Sequence, residues 1–414
     1  MGERTSMNAT PNTASRKNFI TKLPFDVPLL LIVTSLLVFG LLMVYSSSWD
    51  ASLRIGEAPT YVFTRQVLWV VLGIALAVGL SFFDYHKFER YVIWMMAAVI
   101  ILLIVVLIRN DVRFNSTRSL VSGSIQPAEL AKLCIILYLS FWLSKRKDNL
   151  KDVSVGLLPL SVILGLVAGF IFVQPDISAA ATIVLLGVLL FFLAGGDWKQ
   201  LLVVGVVGLV VGGAVVAATS TGKIRLEEYF NGLQNPIMGS YHIQRTFEAI
   251  IKGRFFGVGI GQADTKFTGL PLPHTDSIFA VIAEETGLFG AFIVVALYVL
   301  MLWRGLTIAK RAPDQLGALM SFGLIGWIVI EALMNFAVIV GLFPFTGNAL
   351  PLISAGGSSM LTSMAAIGIT MNIARQGVTK ESGERRQTSA IVDLRGRDRW
   401  RSVSGTNRYE DPQD

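Results

Sequence analysis

Residues 27–46 read VPLLLIVTSLLVFGLLMVYS, a stretch without a single charged side chain. An α-helix rises about 1.5 Å per residue, so roughly 20 such residues reach across the ~30 Å hydrocarbon core of a bilayer. Similar apolar runs, bounded by charges or turn residues, recur near 66–83, 91–108, 127–143, 156–173, 177–195, 200–218, 277–303, 315–341 and 357–374. One run alone could be a buried core helix. Ten in series define an all-α polytopic membrane protein with about ten transmembrane helices. The composition agrees, with 53% hydrophobic and 15% charged residues, against about 25% charged in a soluble domain.

Cysteine usage and charge remove other classes. The single cysteine, Cys134, lies inside an apolar run, which excludes an intramolecular disulfide and a cysteine metal cluster. His86, His242 and His274 are too scattered for a zinc site. The net charge of +7 is dispersed over short loops and a tail, a distribution that suits topology control and anionic lipid rather than nucleic acid.

An even number of spans puts both ends of the chain on one side. Roughly two-thirds of the 35 lysines and arginines fall on that side, so the positive-inside rule makes it cytoplasmic. Residues 1–26 are polar and read as an N-terminal cytoplasmic tail, the first run being a retained anchor. Residues 27–376 form the membrane domain. Residues 377–414 are polar, mixed in charge and without apolar periodicity, so a disordered cytoplasmic tail is expected. On the opposite side one large extracytoplasmic loop, 219–276, stands out, and loops of that length usually carry function. Within it Ile243, Phe247, Ile250 and Ile251 recur at helical spacing over 241–252. This predicts a helix that either lies on the membrane or caps the bundle.

Ionisable residues at membrane depth cost about 2.5–3.5 kcal/mol each on insertion scales, which makes them functional candidates. Glu129 and Lys132 stand at i, i+3 after Pro127, able to pair or to face a polar cavity. Glu331 and Asn335 stand at i, i+4 on the ninth run, where Asn335 suits interhelical hydrogen bonding. Two Gln-Pro turns, Gln126-Pro127 leading to Glu129 and Gln174-Pro175-Asp176, face outward. Asp276, in Leu272-Pro273-His274-Thr275-Asp276-Ser277, puts a carboxylate at the membrane surface, with Glu284 and Glu285 two turns further on. Helix capping explains one acid there; two more inside an apolar helix call for a cation or a substrate hydroxyl. The segment with Pro344, Pro351, Ser354, Gly356, Gly357 and Ser358 is irregular, and non-helical backbone at membrane depth must be buried in protein or line a cavity. The run Gly257-Val258-Gly259-Ile260-Gly261 lacks the flanking strand of a dinucleotide site and reads as a loop.

In order and spacing these elements resemble the SEDS family of FtsW, RodA and SpoVE. The resemblance rests on Met43-Val44-Tyr45-Ser46-Ser47-Ser48, Arg118 before Gln126-Pro127-Ala128-Glu129-Leu130-Ala131-Lys132, Gln174-Pro175-Asp176, Gly239-Ser240-Tyr241, Gly257-x-Gly-x-Gly261, His274-Thr275-Asp276 and Glu284-Glu285-x-Gly287. It continues from Asn335 through Gly341-Leu342-x-Pro344-x-Thr346-Gly347 to Ser354-x-Gly356-Gly357-Ser358-Ser359. Departures are Leu272 for an acid, Ser119 for tryptophan, Ser178 and Ala179 for Gly-Thr, His242 for glutamine and Ala355 for an aromatic. The long tail favours the FtsW-like division branch.

The resemblance implies a bacterial plasma-membrane peptidoglycan glycosyltransferase that polymerises lipid II and releases undecaprenyl diphosphate. It implies Asp276 as catalytic base, with substrate contacts among Arg65, Arg118, Glu129, Lys132, Gln174, Asp176, Tyr241, His274, Glu284, Glu285, Asn335, Ser354, Gly356, Gly357 and Ser358. Arg65, Arg118 and Lys132 are the diphosphate candidates. No cofactor is demanded, although a divalent metal, Mg or Mn, suits a diphosphate. The implied partner is a class B penicillin-binding protein transpeptidase, alongside other division or elongation proteins, with Gly287, Gly290, Ala291 and Ala296 permitting close helix approach. Two other readings remain at this point: a lipid II flippase using Glu129, Lys132 and Glu331 as a polar path, and a non-catalytic scaffold.

Overall fold

A computed structural model describes residues 25–109, 126–174, 176–234 and 239–401. The order of helices is α1 (Val27–Ser47), α2 (Trp49–Arg54), α3 (Tyr61–Phe82), α4 (Glu89–Arg109), α5 (Pro127–Lys145), α6 (Leu158–Val173), α7 (Ile177–Leu193), α8 (Trp198–Ala218), α9 (Ser220–Gln234), α10 (Tyr241–Gly253), α11 (Ile278–Lys310), α12 (Gln315–Ile339) and α13 (Gly357–Arg401). No strand occurs among the described residues. The chain is a multi-pass helical membrane protein: α1, α3, α4, α5, α6 (with the π-helical turn before it), α11 and α12 are each long and apolar enough to cross a bilayer. The apolar runs expected at 177–195, 200–218 and 357–374 coincide with α7, α8 and the first part of α13.

Helix starts follow local chemistry. Asp26 caps α1 by accepting from Leu29 N–H at 3.1 Å, Asp176 caps α7 through Ala179 N–H at 3.2 Å, and Asp314 caps α12 through Gly317 N–H at 2.6 Å. Pro127 opens α5, where its missing donor costs nothing. The centre of the bundle is α5 and α12, with 72% of the apolar window of each buried, against 17% for α3. Around them α3 packs on α13, α4 on α5, α6 on α7, and α1 and α12 on α11.

The stretch expected to be irregular from 377 carries α13 on to Arg401, since it contains no proline and only three glycines to interrupt a helix. In α10 the residues buried against the bundle are His242, Thr246, Ala249 and Gly253, one position away from the apolar stripe. Ala249 and Gly253 let α10 close on α11, and a Cβ at Gly253 would stand 1.9 Å from the Ala283 carbonyl. α10 therefore caps the bundle while Ile251 points outward.

α11 is broken at Gly287, whose φ of 71° lies in the left-handed region. A break there strips Leu288 and Phe289 N–H from the carbonyls of Glu284 and Glu285. The loop after α10 supplies replacements: Val258 and Gly259 N–H donate to Glu284 and Glu285 carbonyls, both at 3.0 Å, and Leu288 and Phe289 N–H donate to Arg254 and Phe255 carbonyls at 3.0 and 3.1 Å. Two helical hydrogen bonds become four between segments. Side chains would prevent this approach, because a Cβ on Gly257 would lie 2.2 Å from the Glu285 carbonyl. The glycine run that resembled a nucleotide loop thus has a structural cause. Gly287 and Ala291 are buried inside the chain, and a Cβ on Gly290 would fall 2.0 Å from Thr286 Oγ1. Gly287 and Ala291 thus serve internal packing, while Gly290 and Ala296 are half-buried.

Candidate functional site

Asp276 sits on the short stretch between the long loop after α10 and the start of α11, and three successive backbone carbonyls of that stretch are individually held. Ala355 N–H donates to His274 O at 2.9 Å, Ser354 Oγ to Thr275 O at 2.7 Å, and Asn335 Nδ2 to Asp276 O at 2.9 Å. Asn335 Nδ2 also reaches Asn348 O at 2.6 Å, and Ser354 Oγ receives Leu350 N–H at 2.8 Å. The irregular segment before α13 is thereby buried in protein, as its depth requires, and Tyr298 Oη donates to the Pro351 carbonyl within it. Asp276 is half-buried just before the start of α11. Asn335, expected as a substrate contact, instead fixes the main chain that carries the carboxylate.

Two histidines flank this stretch. Ser277 Oγ donates to Pro271 O at 2.5 Å, so the 2.7 Å contact between His242 Nε2 and Ser277 Oγ has the histidine as donor. That leaves the buried Nδ1 of His242 without a partner among the described residues, and the Nδ1 of His274 likewise. Burial pushes each ring down to about 4. Both are neutral at pH 7, so His274 supplies no positive charge for an anionic leaving group.

Glu284 and Glu285 depart from expectation. Glu284 accepts from Asp264 N–H at 3.0 Å, from Thr265 N–H at 3.3 Å and from Thr265 Oγ1. Glu285 accepts from Ser46 Oγ at 2.6 Å, Gly261 N–H at 3.0 Å and Lys266 Nζ at 2.8 Å. Both are almost completely buried. Apart from Ser46 at the end of α1, their partners are loop atoms, so they fasten 257–268 onto α11. Lys266, buried and also bonded to Ser46 Oγ at 2.9 Å, is the cation those acids call for. Lys266→Met is expected to cost about 3–5 kcal/mol by leaving Glu285 buried and unpaired, seen as a lower Tm. Combining it with Glu285→Leu should recover most of the loss; strictly additive losses in that cycle would show the pair to be uncoupled.

On the other side of Asp276 the starts of α5, α7 and α13 converge. Gln126 Nε2 donates to Asp176 Oδ2 at 3.1 Å, and Gln126 N–H to Ser358 Oγ at 3.3 Å. Gly357 lies against Trp69, whose ring a Cβ there would meet at 2.6 Å. Gly356 N–H donates to Gln66 Oε1 at 3.1 Å, next in sequence to Arg65. Arg65 is half-buried and makes no hydrogen bond or ion pair among the described residues. One turn into α5, Lys132 Nζ donates to Glu129 Oε1 at 2.8 Å and to Glu331 Oε1, with the Trp327 ring centroid 5.5 Å away. The pair expected from sequence is a buried triad whose lysine is already answered twice.

Of the expected contacts, Asp276, His274, Asn335, Ser354, Gly356, Gly357, Ser358 and Asp176 belong to one set of segments joined by hydrogen bonds, with Arg65 next to Gln66 in that set. Gln174 turns away, donating to Leu103 O at 3.0 Å. Tyr241 is exposed, its Oη accepting from Arg245 Nε at 3.1 Å. Arg118 lies outside the described residues. Among the described residues no three His, Cys, Asp or Glu side chains stand together as a metal site.

Fold and site together define a multi-pass helical membrane protein that holds a half-buried carboxylate on a backbone-clamped loop. Residues 27–378 match the family described as cell cycle protein, which takes in FtsW, RodA and SpoVE, and the chain belongs to that family. It is 33% identical to a probable peptidoglycan glycosyltransferase FtsW of Trichlorobacter lovleyi, over 84% of this chain and 93% of that one. With stage V sporulation protein E of Bacillus subtilis the identity is 32%, over 84% and 97%. Among solved structures it resembles a chain in a study of the structural coordination of polymerization and crosslinking by a peptidoglycan synthase complex, with TM-score 0.71 and 26% identity over 86% of this chain and 99% of that one. The rod shape determining protein RodA of Thermus thermophilus gives TM-score 0.64 and 25% identity, over 86% and 98%.

Proposed function

We propose that this chain is a peptidoglycan glycosyltransferase that polymerises lipid II at the outer face of a bacterial cytoplasmic membrane, with both termini inside. The observation that carries the reading is the Asp276 segment, where three consecutive carbonyls are fixed by Ala355, Ser354 and Asn335 and the acid itself is half-buried. A base must be held within hydrogen-bond reach of the proton it takes, and such clamping supplies that. The names of the relatives support it.

In the reaction, the acceptor sugar's 4-hydroxyl oxygen bonds to the donor's anomeric carbon as the bond from that carbon to the diphosphate oxygen breaks. The hydroxyl proton passes to Asp276. Undecaprenyl diphosphate departs with the bonding electrons, so it needs positive charge and N–H donors more than a general acid. Arg65, without a protein counter-ion among the described residues, is suited to that task, as are backbone donors at the Gly356-Gly357 start of α13. Lys132 is not, being committed to two carboxylates.

Cross-linking requires a second protein of the class B penicillin-binding type, because no hydrolase-like nucleophile site is evident in the sequence. The test is lipid II polymerisation by purified protein with and without such a transpeptidase. Glycan strands that form only with the full-length chain present are expected. A well-folded preparation that yields none with either addition, yet moves lipid II between leaflets, would replace this reading with that of a flippase.

A further inference from the structure

Gln66 stood outside the site read from sequence, yet it is 3% exposed and both ends of its amide are engaged. Nε2 donates to the Ser354 carbonyl at 3.2 Å, and Oε1 accepts from Gly356 N–H at 3.1 Å. The side chain thus pairs with 354–356 as an adjacent strand would. Those residues in turn hold the Asp276 stretch, through Ser354 Oγ to Thr275 O at 2.7 Å and Ala355 N–H to His274 O at 2.9 Å. Arg65 is the residue before Gln66 on α3. The backbone that carries this cation, which has no partner among the described residues, is therefore tied by one planar amide to the segment bearing the carboxylate.

The geometry points to Gln66 as a positioning residue that fixes the guanidinium of Arg65 relative to the Asp276 loop, a role that rests on the glycosyl-transfer reading above. The residue type is demanding. Bridging a carbonyl and an N–H two residues apart takes a donor and an acceptor on one rigid group, which among side chains of this length glutamine provides without having to take up a proton. A base and a leaving-group cation act on opposite ends of one displacement, so their spacing matters as much as their presence. Misplacement by about 1 Å costs on the order of a hundredfold in rate.

The test uses Gln66→Leu and Gln66→Glu in the full-length chain with its transpeptidase, assayed by initial rates of lipid II polymerisation. Gln66→Leu is expected to lower kcat about a hundredfold with KM within about threefold, because it misaligns groups without removing them. Gln66→Glu provides a readout that a packing role would not move. Ionised, its carboxylate still accepts from Gly356 N–H but repels the Ser354 carbonyl; protonated, its O–H donates to that carbonyl and both bonds return. Its rate relative to wild type should therefore climb as pH falls from about 8 to about 5, while the Gln66→Leu ratio stays flat. A flat ratio for Gln66→Glu overturns the proposal even if Gln66→Leu fails to accumulate, as does a Gln66→Leu kcat within about threefold of wild type. Absence of polymerisation by the wild-type protein would overturn the glycosyltransferase reading itself, and this role with it.

Discussion

Asp276→Asn is expected to abolish glycan polymerisation, with a rate loss of about 10²–10⁴-fold, while the protein accumulates and melts much as wild type does. The two halves of that expectation have separate causes. The substitution leaves the shape of the side chain nearly unchanged but removes its capacity to take a proton. The loop's position, meanwhile, depends on main-chain carbonyls of His274, Thr275 and Asp276, which the substitution does not alter. Asn335→Leu makes the complementary case: it keeps the base and removes the clamp on the Asp276 carbonyl, so a smaller loss accompanied by a lower Tm is expected. Near-normal polymerisation by Asp276→Asn would exclude Asp276 as the base.

Lys132→Met should destabilise the bundle by about 3–5 kcal/mol, the cost of stranding buried carboxylates in a poorly hydrated site. Here two are stranded at once, Glu129 and Glu331, both buried. Exchanging Glu129 and Lys132 would not repair the site, because a carboxylate at 132 would then face Glu331. The informative variant neutralises all three with Glu129→Gln, Lys132→Met and Glu331→Gln, since replacing a complete buried ion network is often neutral or stabilising. Recovery of both Tm and polymerisation to within about tenfold of wild type is expected for a triad that only holds α5 to α12. Recovered Tm with no polymerisation would return Lys132 to the reaction path.

What was legible in the sequence followed from range. Span length is a property of contiguous residues, and helix after helix begins within a few residues of its apolar run. The Glu129–Lys132 pair is written in i, i+3 spacing. Its third member is not, since Glu331 arrives from 199 positions away. Gln66 gave no signal at all: its partners are main-chain atoms 288 and 290 residues distant, and any sequence there offers a carbonyl and an N–H. The acids at 284 and 285 were detected as anomalous in an apolar helix, and the inference that something must answer them was sound. It pointed outward to a substrate because Lys266 and the amides of 261–265 look like ordinary loop residues until the loop folds back. Arg118 remains an expectation from sequence alone.

The repaired break in α11 also dictates an order of assembly. Membrane interiors do not tolerate unpaired backbone groups, each of which costs several kcal/mol. The carbonyls of Glu284 and Glu285 and the N–H groups of Leu288 and Phe289 are completed by residues 254–259, which precede α11 in the chain. During biosynthesis that stretch emerges earlier, yet until it docks the turns of α11 around Gly287 carry open backbone groups. Those turns cannot take their final form first; they wait on the loop. A helix of this kind is finished by its own preceding segment, so the turns that carry Glu284 and Glu285 set only once residues 254–259 have folded back onto them.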